Sequence, residues 1–255
     1  GACAAAHSQG LRMVDLQHGR VGYSHPIMSW WDFRHAPQTV FSLFPSEFWC
    51  WERQNAENIE KTWLGFSDHI TVKVFGNPWG YMRRNEVIKD ESTESSDVLP
   101  SNQIVMIALQ PIEDSIPQFV VDGLNHFEDF EVWVRPHPHQ LGSISDIQAK
   151  LSGMGLKNFV IRDRNDLYTE LRHVGVLITA FSTVAVEAQS LGVPVILTHQ
   201  NAPVAFGDAI DEKTIFYCNR GENFTDLLTE LKGTSKRLEL NSDDVTTLAQ
   251  MMSCF

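Results

Sequence analysis

The chain is poor in cysteine. Four residues in 255 (Cys3, Cys50, Cys218 and Cys254) lie far apart, with no Cys-x-x-Cys pair. This excludes a zinc-knuckle or dithiol redox motif and a disulfide scaffold, and fits a reducing compartment. Cations are also scarce, with 20 Lys+Arg against 32 Asp+Glu and a formal net charge of −12. Such a chain lacks the basic face that non-specific nucleic-acid binding requires. No apolar run approaches the roughly 20 residues of a membrane-spanning helix. Residues 1–7 (GACAAAH) have neither the basic nor the apolar region of a signal peptide and read as helix. The Gly-x-Gly-x-x-Gly fingerprint of dinucleotide sites is absent as well. What remains is globular composition, 43% hydrophobic with 16 Gly and 11 Pro, enough for one large core or two modest ones.

Residues 85–102 (NEVIKDESTESSDVLPSN) are acidic, rich in Ser and Thr, and nearly devoid of apolar side chains. They read as a linker, because they cannot bury enough surface to offset chain entropy. The expected organisation is therefore 1–84, a linker at 85–102, and 103–255. In the last segment, short β-branched runs at 103–109, 130–134, 158–161, 176–179 and 193–197 alternate with helical patterns at 116–127, 143–154, 166–173 and 183–191. This rhythm predicts β-α-β units and a doubly wound parallel sheet. In the first segment, strands are expected at 11–16, 39–44 and 70–75 with a helix at 52–64. That is thin for an independent core, and reads as the C-terminal part of a second Rossmann-like domain whose remaining strands would precede Gly1.

Ligands of doubly wound sheets bind beyond the carboxyl ends of the strands. There the second strand of the later segment runs into Arg135-Pro136-His137-Pro138-His139, where two prolines stiffen a turn bearing three cationic or titrating groups. Arg135 and His137 are phosphate-binding candidates. Zinc is a poor fit, since no third ligand accompanies His137 and His139. The fourth strand leads into Thr179-Ala180-Phe181-Ser182-Thr183, with Ser182 as expected N-cap and Glu187 about one turn into the next helix. A carboxylate there can accept ribose hydroxyls while the Ser182–Thr183 turn meets phosphate. In the first segment, His18 follows a strand beside Gly19 and has the chemistry of a general base near neutral pH. His25 lies in the loop after it, and Glu47 at a second expected strand end; both are candidates for the acceptor side. The tryptophans, Trp30, Trp31, Trp49, Trp51 and Trp63, are expected mainly in packing.

In this order, Gln17-His18-Gly19, Ser46-Glu47, Gly76-Asn77-Pro78-Trp79, His137-Pro138 and Thr179-Ala180-Phe181-Ser182-Thr183 resemble the GT-B glycosyltransferases of bacterial surface-polymer synthesis. The group in question is that of CDP-glycerol glycerophosphotransferases, capsular Kdo transferases and polysialyltransferases. Ala180 and Phe181 replace the Asp and Tyr of the glycerophosphotransferases. Glu187-Ala188 followed by Gly192-Val193-Pro194 is closer to enzymes that use sugar nucleotides. The resemblance implies an α/β, GT-B-like fold and a metal-independent glycosyltransferase with no cofactor beyond its nucleotide-sugar donor. His18 would be the acceptor-side base, His137, Ser182 and Thr183 would hold donor phosphates, and Glu187 the ribose. The 160–164 loop, with Arg162, would flank the base. The expected acceptor is a glycan, free or lipid-linked, handled in the cytoplasm or at the inner face of the membrane, where association would be peripheral. Two rival readings stand beside it: a sugar-nucleotide epimerase or hydrolase of the same fold, and a non-catalytic nucleotide-sugar-binding module.

Overall fold

The computed structural model describes residues 1–21, 29–83, 103–164, 166–207, 209–210 and 213–233. The expected linker and His25 lie outside the described residues. Two compact units emerge, one built from residues 1–81 with 204–207, the other from 82–203 with the later described residues.

The first unit contains helix α1 (Ala2–Ser8), strands β1 (Val14–Leu16), β2 (Glu47–Cys50) and β3 (Thr71–Val74), and helix α2 (Arg53–Thr62) between the last two strands. The strands form a parallel sheet in the order β1-β2-β3, with Leu16 opposite Trp49 and Trp49 opposite Lys73. Side-chain alternation along β2 explains its burial on both faces. Phe48 and Cys50 join Ile59 and Trp63 on one side, and Trp49 meets Phe75 on the other. Trp31 stacks on Trp63 at 4.8 Å and Trp49 meets the Phe75 ring at 4.3 Å, so these three pack as expected, whereas Trp30 is exposed. The strand expected at 39–44 is instead a 3-10 helix, Gln38–Leu43. Its apolar residues do not alternate, Pro37 sets the entry φ at −60°, and the Ser42 hydroxyl donates back to the Thr39 carbonyl at 2.7 Å. Only Phe41 within it is buried, and pairing passes to Glu47–Cys50.

The second unit has six parallel strands: β4 (Ile104–Ala108), β5 (Glu131–Arg135), β6 (Phe159–Ile161), β7 (Val176–Thr179), β8 (Val195–Leu197) and β9 (Ile215–Tyr217). Their order, β6-β5-β4-β7-β8-β9, is that of a doubly wound Rossmann sheet, and it reverses direction between β4 and β7. Helices α3 (Gln118–Leu124), α4 (Ile144–Gly153), α5 (Leu167–Leu171), α6 (Val184–Ser190) and α8 (Gly221–Gly233) complete it, while the short helix α7 (Ala202–Phe206) begins in this unit and ends in the first. With both faces covered, β4, β7 and β8 are buried at every position, which is why they read as unbroken apolar runs. As expected, α6 ends at Gly192, whose φ of +72° is costly for other residues. At Gly123, α3 and α8 touch so closely that a Cβ would lie 2.5 Å from the Phe224 ring. Gly123→Ala is therefore expected to lower stability by about 1–3 kcal/mol, as overpacking does; a denaturant melt with unchanged midpoint would contradict this contact.

Candidate functional site

The site is assembled at the carboxyl edge of the second sheet. Ala108 of β4 pairs with Arg135 of β5 on one side and with Thr179 of β7 on the other. The segments leaving β5 and β7 therefore emerge at the same end, two strand spacings or about 10 Å apart. This is also where the strand order reverses. Arg135, His137, Ser182, Thr183 and Glu187 are thus brought to one edge.

Two glutamines tie these turns together. The Gln110 side-chain oxygen accepts from the Phe181 N–H at 2.7 Å, and the Gln110 carbonyl accepts from the Gln140 side chain at 3.5 Å. The oxygen of that Gln140 side chain accepts in turn from the His137 N–H at 3.1 Å. A continuous path of hydrogen bonds therefore runs from the His137 turn, across β4, to the turn at 181–183. Sequence reasoning missed both glutamines. Their only signal was a polar residue directly after a buried apolar run, and another three positions beyond His137.

His137 caps a 3-10 helix, Pro138–Ser143, and its Nδ1 accepts from the His139 N–H at 3.2 Å. That bond places the ring proton on Nε2, leaving Nε2–H as a donor. Partial burial, reinforced by neighbouring His139, lowers its pKa below the usual 6.5. The ring is therefore neutral at pH 7 and offers a hydrogen-bond donor rather than a charge. Ser182 is buried, but the helix starts one residue later than expected. Thr183 takes the N-cap position without a side-chain cap, and the Ser182 hydroxyl accepts from Val184 N–H at 3.4 Å. With seven residues, α6 offers local N–H donors more than a macrodipole.

Glu187 projects from α6, and burial pushes its carboxyl up to about 7, opposed by nearby Arg135 and assisted by Asp166. Arg135 is engaged by Glu170, whose carboxylate is 1% exposed and receives Arg135 Nη1 at 2.5 Å and Arg162 Nε at 3.0 Å. Arg162 also lies over the Trp133 ring, 4.2 Å from its centroid. Through these two contacts Arg162 braces the edge of the sheet. Glu170 escaped sequence reading because a helical glutamate is ordinarily solvated. His199, at the end of β8, packs against Phe181 with ring centroids 5.1 Å apart.

In the first unit, His18 stands beyond the carboxyl end of β1 with its side chain exposed. Its turn is rigid because buried Gln17 accepts from Trp51 N–H at 2.8 Å and donates to Gly19 O at 2.8 Å and Asn55 Oδ1 at 2.9 Å. Asn55 and Asn58 both donate to the Val21 carbonyl at 3.2 Å. Glu47 does not share this end of the sheet. It begins β2, opposite Val14, because the strand starts where one was expected to finish. Its carboxylate accepts from Arg12 at 2.7 and 3.0 Å, from Lys73 at 2.8 Å and from the Trp49 indole at 2.8 Å. Chiefly through Arg12, these partners bring its pKa down to about 2. Glu47 is a clamp for the opposite edge of the sheet.

Among the described residues, no group of three or more His, Cys, Asp or Glu side chains gathers as a metal site, and no helix is long and apolar enough to cross a membrane.

No protein-family profile and no characterised protein sequence matches this chain. Solved structures do. The UDP-GlcNAc 2-epimerase of Methanocaldococcus jannaschii superposes with a TM-score of 0.62 and 13% identity, covering 99% of this chain and 72% of the epimerase. The Neisseria meningitidis 2-epimerase, bound to UDP-GlcNAc, gives 0.62 and 16%, covering 93% and 68%. Anabaena Alr3699/HepE, in complex with UDP and glucose, gives 0.53 and 11%, covering 100% and 75%. At such identities the shared property is the fold, which is the GT-B-like, Rossmann-type α/β arrangement.

Proposed function

We propose that this chain binds a uridine diphosphate sugar at the carboxyl edge of the second sheet and transfers the sugar to a glycan acceptor. The observation that carries the reading is the Gln110–Gln140 path, which joins the His137 turn to the 181–183 turn beside half-buried Glu187. Fold neighbours solved with UDP and with UDP-GlcNAc supply the ligand class. Glu187, ionised, accepts the two ribose hydroxyls. The N–H groups of Ser182 and Thr183 and the Nε2–H of His137 donate to the diphosphate and stabilise it as it leaves. His18 takes the proton of the acceptor hydroxyl as its oxygen attacks the anomeric carbon. The bond from that carbon to the β-phosphate oxygen breaks, releasing UDP. The ordered motifs from His18 to Thr183 favour acceptors of the surface-polymer type.

A second reading is an epimerase, favoured by the higher TM-scores to 2-epimerases (0.62) than to HepE (0.53). Incubation with UDP-GlcNAc, with and without glycan acceptors, separates the two by chromatography. Transfer gives UDP and an extended glycan only when acceptor is present; epimerisation gives the C2 epimer without one. Binding without turnover in either case would make the chain a nucleotide-sugar-binding module. For the phosphate subsite, His137→Ala is expected to weaken UDP about 10–150-fold, the loss of one hydrogen bond to a charged group. Calorimetry giving an unchanged Kd would remove His137 from the site.

A further inference from the structure

We propose that Gln110 is a direct ligand for the diphosphate, its side-chain NH2 donating to a phosphate oxygen between the His137 turn and the 181–183 turn. This rests on the nucleotide reading above and names a contact that reading does not use. Gln110 directly follows the last residues of β4, where the strand order reverses. Its main chain is held on both sides: the N–H donates to buried Ser115 Oγ at 2.8 Å, and the carbonyl accepts from Gln140 at 3.5 Å. Pro111 biases it further toward extended backbone.

The side-chain amide has one possible orientation. A backbone N–H only donates, so the amide must present its oxygen to Phe181, which it does at 2.7 Å. The NH2 is the other arm of the same planar group, so it lies within about 5 Å of the Phe181 nitrogen. Among the described residues this NH2 has no hydrogen-bond partner, although the residue is half-buried. It is reached by solvent, since the fully buried side-chain polar atoms without a partner there are Arg83 Nε and Tyr168 OH. An oriented pair of donors therefore opens at the crevice where such sheets bind their ligands. Its neighbours across that crevice, His137 Nε2–H and the N–H groups of Ser182 and Thr183, are donors as well. A set of donors fits a group that only accepts, which a phosphate is and a sugar hydroxyl is not. Bracing the turn needs an acceptor alone, which a glutamate would supply; the NH2 is what glutamine adds.

The test is proton–nitrogen NMR of the Gln110 side-chain NH2, identified by its absence in Gln110→Glu, with the whole chain titrated separately with UDP, inorganic pyrophosphate and uridine. The expected result is a shift of this resonance with a diphosphate and none with uridine. No shift with either diphosphate, or an equal shift with uridine, would overturn the proposal. A shift with pyrophosphate but not with UDP upholds this contact and counts against the uridine reading, so the two fail separately. Gln110→Glu supplies the second arm, because its carboxylate keeps the acceptor for Phe181 N–H and loses the donor. Its melting temperature should match that of wild type. Calorimetry with the diphosphate that moves the resonance should show binding weakened about 10–150-fold, the loss of one hydrogen bond to a charged group. Unchanged affinity would overturn the assignment, since a residue that only braces the turn tolerates this change.

Discussion

Replacing His18 with alanine is expected to lower sugar transfer about 10²–10⁴-fold, the usual contribution of a positioned general base. UDP affinity should stay within a factor of about two, because the groups proposed to bind the donor all belong to the second unit. The turn that carries His18 is held by Gln17, Asn55 and Asn58 through backbone and side-chain bonds that do not involve the imidazole. The exposed side chain can therefore be removed with little effect on folding. Steady-state kinetics with saturating acceptor separates the outcomes. A fall in kcat with unchanged UDP affinity supports the base; near-normal kcat makes His18 a surface residue.

The second large effect concerns Glu187 and has two opposite signs. Loss of the carboxylate in Glu187→Ala should weaken UDP by about 10–150-fold, since at least one hydrogen bond to a charged acceptor disappears. The same carboxyl burdens the unliganded fold. Burial raises its folded pKa to about 7 from an ordinary 4.5, so between those values the native state binds more protons than the unfolded one. Stability due to this group is therefore greatest below pH 4.5 and falls as pH rises through 7. Glu187→Gln removes that slope and should be more stable than wild type above pH 7, by about 1–3 kcal/mol, with the difference vanishing near pH 4. UDP affinity runs the other way in wild type, rising through pH 7 as the carboxyl ionises, and should lose that feature in Glu187→Gln. Parallel denaturant melts and calorimetry at pH 5, 7 and 8.5 check both signs.

The second unit was legible in the sequence because strands buried on both faces leave unbroken apolar runs, and helix-ending signals such as Gly192 punctuate them. Its site was legible only in outline. Arg135, His137, Ser182, Thr183 and Glu187 follow strand ends or open helices, so element order alone brings them to one edge. What joins them was hidden, because Gln110, Gln140 and Glu170 act through partners distant in sequence: Gln110 lies 71 residues from Phe181, and Glu170 lies 35 from Arg135. No periodicity encodes such pairs. The engagement of Arg162 by Glu170 and Trp133 was hidden for the same reason. In the first unit, the strand expected at 39–44 failed because β propensity lost to a proline-led turn and a back-bonding serine. That error moved Glu47 to the wrong end of its strand, and its clamp with Arg12 and Lys73 became visible only once the sheet was built.

The most direct measurement is the crystal structure of this chain soaked with UDP. The account predicts ribose hydroxyls on Glu187 and the diphosphate at the Ser182–Thr183 turn within reach of His137 Nε2. UDP bound away from the carboxyl edge of β4, β5 and β7, or no bound UDP at millimolar concentration, would contradict it.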